Sequence, residues 1–243
     1  FLNYRRGDGA FYTWIVVGAT DVCAGTNANV LFFYASRNEE YKILTTMDWL
    51  NDQIGKMLSG LPYDAVYYRS PYAFTYLATR AYADGGAQTF LNTTQRKNIR
   101  DHILADQEAD GSWPTEYGGS EDELETALAL VSLINLGFYE LTSSEQEKVE
   151  KGIEYVLNAQ NPDGSWRCAC FYLDPSAEIC YGSNELTTSI CMEALAKFPR
   201  TSVGGIIVPV DKLSLLAPYI TLASTIILVI SASVVFFKLR KRQ

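Results

Sequence analysis

The sequence predicts an all-α chain of tandem helical hairpins followed by one C-terminal transmembrane helix. Three observations carry this. The phrase Gln107-Glu-Ala-Asp-Gly-Ser-Trp113 returns fifty-three residues later as Gln160-Asn-Pro-Asp-Gly-Ser-Trp166, the mark of a duplicated helical unit. Seven stretches space their apolar residues as helices do, separated by Gly, Pro, Ser and Asp, and none alternates in the manner of a strand. From Leu213 to Phe237 twenty-five residues carry no charge, enough for about 37 Å of helix against a roughly 30 Å hydrocarbon core.

In chain order the helical stretches fall near 27–36, 41–58, 70–84, 94–108, 121–137, 143–160 and 184–198. Segments 70–84, 121–137 and 184–198 are apolar around most of their circumference, as expected of helices enclosed by protein. Segments 94–108 and 143–160 keep a charged face beside an apolar stripe, with Ile99, Ile103 and Leu104 in one and Val149, Ile153, Val156 and Leu157 in the other. The first kind is inner, the second outer. Pro71 suits a first helical turn. Ser120-Glu-Asp-Glu123 reads as a capping box, Ser143 or Ser144 as the cap of the second outer helix, and Asn184 as the cap of the last inner one. The duplication continues past the tryptophans, where Glu123-Leu124-Glu-Thr126-Ala127 answers Glu185-Leu186-Thr-Thr188-Ser189. An earlier, worn copy is visible in Trp49-Leu50-Asn-Asp-Gln53, with Gly60-Leu-Pro-Tyr63 standing where Gly-Ser-Trp should follow.

The domain plan is therefore a repeat domain over 1–200, a linker over 201–212, a transmembrane helix over 213–237 and a basic tail over 238–243. Lys238-Leu-Arg240-Lys241-Arg242 puts four positive charges directly after the span, so the tail is expected in the cytoplasm and the repeat domain outside. There Asn92-Thr-Thr94 can accept a glycan and disulfides can persist. Of the five cysteines, Cys168, Cys170 and Cys180 crowd one loop, so one bridge is expected from Cys180 to either Cys168 or Cys170, with Cys191 a buried thiol. A formal net charge of -8 excludes a nucleic-acid partner, which would need clustered Lys and Arg. No methionine opens the chain and no leader precedes Phe1, so the sequence reads as the C-terminal piece of something longer or as a matured product.

In Lys151-Gly152-Ile-Glu-Tyr155-Val156-Leu-Asn-Ala-Gln160, followed by Gly164 and Trp166, a basic-small pair, an aromatic, an aliphatic, a glutamine and a Gly-x-Trp stand at fixed offsets. Here the chain resembles the QW repeat of the terpenoid cyclases, the squalene and hopene cyclase group. The copy from Lys97 through His102, Gln107 and Gly111 to Trp113 is looser. The structural repeat residues are thus Gln107, Gly111, Trp113, Gln160, Gly164 and Trp166. A glutamine at a helix end can bond the neighbouring repeat's backbone, and glycine permits the sharp turn. The resemblance implies a partial α/α toroid of tandem helical hairpins, related in fold to the protein prenyltransferases, with inner helices around an apolar cavity.

In such a ring every inner helix starts on one rim, where polar residues converge. A ligand-binding rim is expected from Asp21, Asn27, Tyr68, Arg69 and Glu185. Asn29, Tyr67, Glu123 and Thr187 share that rim. Asp122 and Glu125 lie three residues apart, one turn into an otherwise apolar helix, and are the candidate acid pair. Phe32, Phe74, Tyr76 and Tyr68 supply aromatic faces to an inner helix layer. The Asp-x-Asp-Asp motif of cyclases that protonate an isoprenoid is absent. His102, the single histidine, lies on an outer helix far from the Cys168 loop, so no metal and no cofactor is expected. The functional expectation is a membrane-anchored toroid domain that binds an apolar, isoprenoid-like ligand or a partner. The alternative is a triterpene cyclase of the squalene-hopene type, an isomerase with Glu125 or Asp122 as the acid.

Overall fold

The chain divides into residues 1–199 and 200–243, and the computed structural model describes residues 2–115 and 123–199, all in the first unit. Seven α-helices lie among the described residues: α1 (Ala24–Ala35), α2 (Leu44–Leu58), α3 (Pro71–Ala83), α4 (Thr93–Ala105), α5 (Glu123–Asn135), α6 (Ser143–Asn158) and α7 (Asn184–Lys197). Helix α3 packs between α1 and α5, and α5 between α3 and α7. These four form the inner layer; α2, α4 and α6 form the outer one. The two middle inner helices earn their place by composition: Ala73, Phe74, Leu77, Ala78 and Ala81 on α3 and Leu124 through Val131 on α5 are buried on every side.

Several local expectations change. Helix α1 starts at Ala24, three residues before the spacing indicates, and a 3-10 turn over Glu40–Ile43 precedes α2. Neither Ser143 nor Ser144 caps α6. Thr142 does, its backbone N–H donating to the Glu145 carboxylate at 2.7 Å. Ser183, not Asn184, caps α7 by accepting from the Leu186 N–H at 3.1 Å. In both cases the capping residue is the last extended one before the helix, a position that backbone torsion decides and composition leaves open. Pro71 stands in the first turn of α3, as expected, and Ser70 caps that helix. The box at Ser120 and the uncharged run 213–237 lie outside the described residues. No helix among the described residues is long and apolar enough to cross a membrane.

Strand structure also appears where none was expected. A two-stranded antiparallel hairpin, β1 (Tyr172–Asp174) and β2 (Ile179–Tyr181), pairs Tyr172 with Tyr181 and Leu173 with Cys180. The Cys170–Cys180 disulfide closes it, leaving Cys168 an exposed thiol and Cys191 a buried one. The strands are only three residues long, too short for alternation to be legible.

The repeat is exact at the atomic level. Trp113 and Trp166 each send the indole N–H to an outer-helix carbonyl ten residues back, Ile103 at 2.6 Å and Val156 at 2.7 Å. Each backbone N–H in turn donates to a threonine of the next inner helix, Thr126 or Thr188, at 3.0 Å. Asp110 and Asp163 fold the turn identically by accepting from Ser112 and Ser165. Gln107 donates to the Gly111 carbonyl and, across to α6, to that of Lys148 at 2.8 Å. Gly111 has φ +98°, and a Cβ there would stand 2.6 Å from the Lys151 carbonyl oxygen, so glycine is required both by torsion and by the approach of α6. Leu104, under α6, is 4% exposed, whereas its counterpart Leu157 is 50% exposed because no further helix covers it among the described residues.

A further copy emerges at the N-terminal end. Asp8-Gly9-Ala10-Phe11 repeats the Asp-Gly-Ser-Trp turn, with Gly9 at φ +102° against the α2 backbone and Phe11 buried in the tryptophan's place. The Phe11 N–H donates to Asn27 of α1, as the Trp113 N–H does to Thr126 of α5.

Gly152, the small residue of the basic-small pair, lies against the preceding repeat's indole. A methyl there would stand 2.8 Å from Trp113 Cζ3 and 2.9 Å from a Leu130 methyl. Overpacking costs about 1–3 kcal/mol, more than the roughly 1 kcal/mol alanine gains over glycine in a helix. Gly152→Ala is therefore expected to lower the thermal midpoint; a raised midpoint would contradict this packing.

Candidate functional site

The starts of α3 and α5 meet, and the buried carboxylates there are drawn into two separate pairs. On α3 the Ser70 hydroxyl donates to Glu125 Oε2 at 2.5 Å while accepting from the Ala73 N–H. The cap of one inner helix thus holds a carboxylate of the next, and Glu125 is 1% exposed. Glu123, also 1% exposed, takes the guanidinium of Arg167, whose Nε and Nη2 reach its Oε1 at 2.8 and 2.6 Å. Residues two apart on a helix point to different sides, so Glu123 and Glu125 do not form a carboxylate dyad. Asp122, the expected partner of Glu125, lies outside the described residues. The Cys191 thiol approaches the Glu123 carbonyl at 3.8 Å, and burial, then the Glu123 charge, push it up to about 12.

Beside these pairs stands an aromatic cluster. Tyr67 stacks on Tyr172 of β1 at 5.4 Å and meets Trp14 edge-on at 5.8 Å; Tyr68 meets Phe171 at 5.3 Å and Tyr172 at 5.8 Å. The Trp14 indole N–H donates to the Tyr67 hydroxyl, which donates to Asp21 at 3.2 Å. Burial raises the Tyr67 hydroxyl above its ordinary range, against the lowering pull of the Trp14 bond. The backbone fixes the arrangement: the Leu173 N–H donates to the Tyr67 carbonyl, tying hairpin to rim.

Of the rim residues expected from sequence, Asp21, Tyr67, Tyr68 and Glu123 join these clusters, as does the candidate acid Glu125. Asn27 does not face a ligand: fully buried, its amide grips the backbone N–H and carbonyl of Phe11 at 2.7 and 3.0 Å. It is a repeat residue, the counterpart of Thr126. Glu185 is exposed in the first turn of α7, where the backbone and Ser183 hold its carboxyl below the usual range. Arg69 turns instead into a 540 Å³ cleft shared with Met57, Tyr63, His102 and Asp106. Phe74 and Tyr76 are core residues; Phe74 stacks on Tyr63, and the Tyr76 hydroxyl donates to Glu193, burial and that carboxylate pushing it up. Phe32 lies under the Arg80 guanidinium at 4.3 Å. Among the described residues no group of three or more His, Cys, Asp and Glu side chains is placed to hold a metal.

Sequence reasoning missed Ser70, Arg167, Trp14, Phe171 and Tyr172 as site residues. Ser70 carries no motif that marks it, and its carboxylate partner is fifty-five residues away. Arg167 directly follows a repeat tryptophan, whereas the other copy has Pro114 there, and that departure from the repeat is the one signal that marks it.

No family model matches the sequence, and no curated protein matches it. Solved structures do. The ent-copalyl diphosphate synthase from Streptomyces platensis aligns with a TM-score of 0.58 at 23% identity, over 81% of this chain and 36% of its own. The type II terpene cyclase MstE from Scytonema aligns with a TM-score of 0.60 at 16% identity, over 81% of this chain and 64% of its own. A variant of that cyclase in complex with merosterolic acid A, its product, aligns with a TM-score of 0.55 at 16% identity, over 81% of this chain and 63% of its own. The chain spans about a third of the Streptomyces enzyme's length and less than two thirds of the Scytonema enzyme's. The fold is the terpenoid-cyclase-like α/α toroid.

Proposed function

We propose that this chain is a membrane-tethered toroid domain that binds an apolar, isoprenoid-like ligand without transforming it. The observation that carries this reading is the state of the two buried rim carboxylates. Glu123 is neutralised by Arg167, and Glu125 is held as an acceptor by Ser70. A general acid that protonates an alkene must present a proton to its substrate; these two groups are turned into protein. The missing Asp-x-Asp-Asp motif points the same way. The Scytonema cyclase variant, of like fold, is recorded with its product bound, which supports an apolar ligand for this one. The uncharged run 213–237 and the basic tail support a single span with the toroid outside and the tail in the cytoplasm.

The competing reading is the triterpene-type isomerase, favoured by a buried Glu125 within 2.5 Å of a hydroxyl. The full chain in detergent, offered squalene and prenyl diphosphates, decides between them. Saturable binding with no cyclised product is expected. Turnover that disappears in Glu125→Gln would overturn the binding role. External protease on intact cells is expected to remove residues 1–200 and spare the Lys238 tail.

A further inference from the structure

The segment between Tyr12 and Val22 is a finger. Its base is the antiparallel bridge of those two residues, reinforced by the Thr13 N–H donating to the Asp21 carbonyl at 2.8 Å. Its tip turns through Gly18 at φ +83°, with the Ala19 N–H on the Val16 carbonyl. From Thr13 to Thr20 it carries no charge. Trp14, Ile15, Val16 and Val17 are all exposed, Val17 completely at 102%. Consecutive apolar side chains held out in water by an ordered turn call for an occupant. On the same end of the molecule, reached through the ring row Trp14–Tyr67–Tyr172–Tyr181, the exposed Ile179 and Tyr181 of β2 extend the patch.

We propose that the finger inserts into the lipid bilayer. A narrow, convex tip of four side chains offers well under the roughly 800 Å² per partner that a stable protein interface requires, which argues against a second copy. It matches the interfacial pattern instead: aliphatic residues foremost, a tryptophan and tyrosines behind them, charge only at the base in Asp21. The Trp14 N–H is already satisfied by Tyr67, so no bare donor enters the apolar phase. This inference rests on the tether proposed above, which keeps the domain at the bilayer.

The test uses the full chain in phosphatidylcholine vesicles with and without brominated acyl chains. Trp14 is the one exposed tryptophan of four, the others being buried, and the run 213–237 has none. Brominated lipid is expected to quench an emission component that vanishes in Trp14→Phe. Val16→Asp with Val17→Asp is expected to cut that quenching at least about threefold and to open Trp14 to acrylamide, with circular dichroism unchanged because both valines are exposed. Acrylamide quenching of the native Trp14 without lipid quenching overturns the proposal. So does protection from both quenchers, which would identify a protein partner. Failure of the chain to float with vesicles overturns tether and finger together, whereas flotation without lipid quenching of Trp14 overturns the finger alone.

Discussion

Trp113→Ala is expected to destabilise the domain by about 4 kcal/mol, within the range for deleting a fully buried tryptophan. The indole is completely enclosed, with Gly152 of α6 against it. Truncation leaves a cavity between two repeats that cannot collapse, because Lys148 and Lys151 of α6 hold the carbonyls of Leu104 in the last turn of α4 and of Ala109 in the loop after it. It also removes the indole bond to the Ile103 carbonyl, which is left with the Asp106 N–H alone at 3.3 Å. Trp166→Ala removes the matching indole bond to Val156, yet should cost less, about 3 kcal/mol, because its repeat edge is uncovered among the described residues and water can fill the gap. Trp113→Phe keeps most of the volume and loses the N–H bond, for about 1–2 kcal/mol. Urea unfolding followed by circular dichroism measures all three. A Trp113→Ala loss below about 1 kcal/mol, or a larger loss at Trp166, would contradict the role assigned to the repeat.

Arg167→Ala is the second large effect, about 2 kcal/mol. Removing one partner of a wholly buried ion pair costs about 3–5 kcal/mol, because the other charge is stranded. Here the arginine side chain is 47% exposed, so water can replace part of it. Glu123 cannot move out: it opens α5, and its Oε2 is buried without a hydrogen-bond partner among the described residues. Adding Glu123→Gln to Arg167→Ala is therefore expected to restore most of the loss, since a neutral amide carries a far smaller desolvation cost. Arg167→Lys should fall between, as an ammonium cannot reproduce the two-nitrogen grip on one oxygen. If Glu123→Gln gave no rescue in the double variant, the loss would come from some other contact of Arg167.

How much of this was legible beforehand depended on the range of each interaction. The tryptophan turns and their threonine partners could be aligned because each contact closes within ten to twenty-two residues and recurs. The turn at Asp8 escaped because phenylalanine stands for tryptophan and asparagine for threonine, and the torsion of Gly9 that reveals the kinship is not written in residue type. Asn27 looked like a rim ligand for the same reason. Spacing put Glu125 one turn into an apolar helix, but only the neighbouring helix shows that Ser70 faces it.

The amino-acid sequence by itself determined the helical repeat, the inner and outer character of its helices, and the uncharged run with its basic tail. These follow from local periodicity and composition, which need no knowledge of neighbours. Tertiary structure alone decided that Ser70 holds Glu125, that Arg167 holds Glu123, that Cys170 and not Cys168 joins Cys180, and that Trp14 through Val17 stand out in water. Each of those outcomes depends on which backbones the closing arc brings together across tens of residues, and burial is a property of the assembled layers.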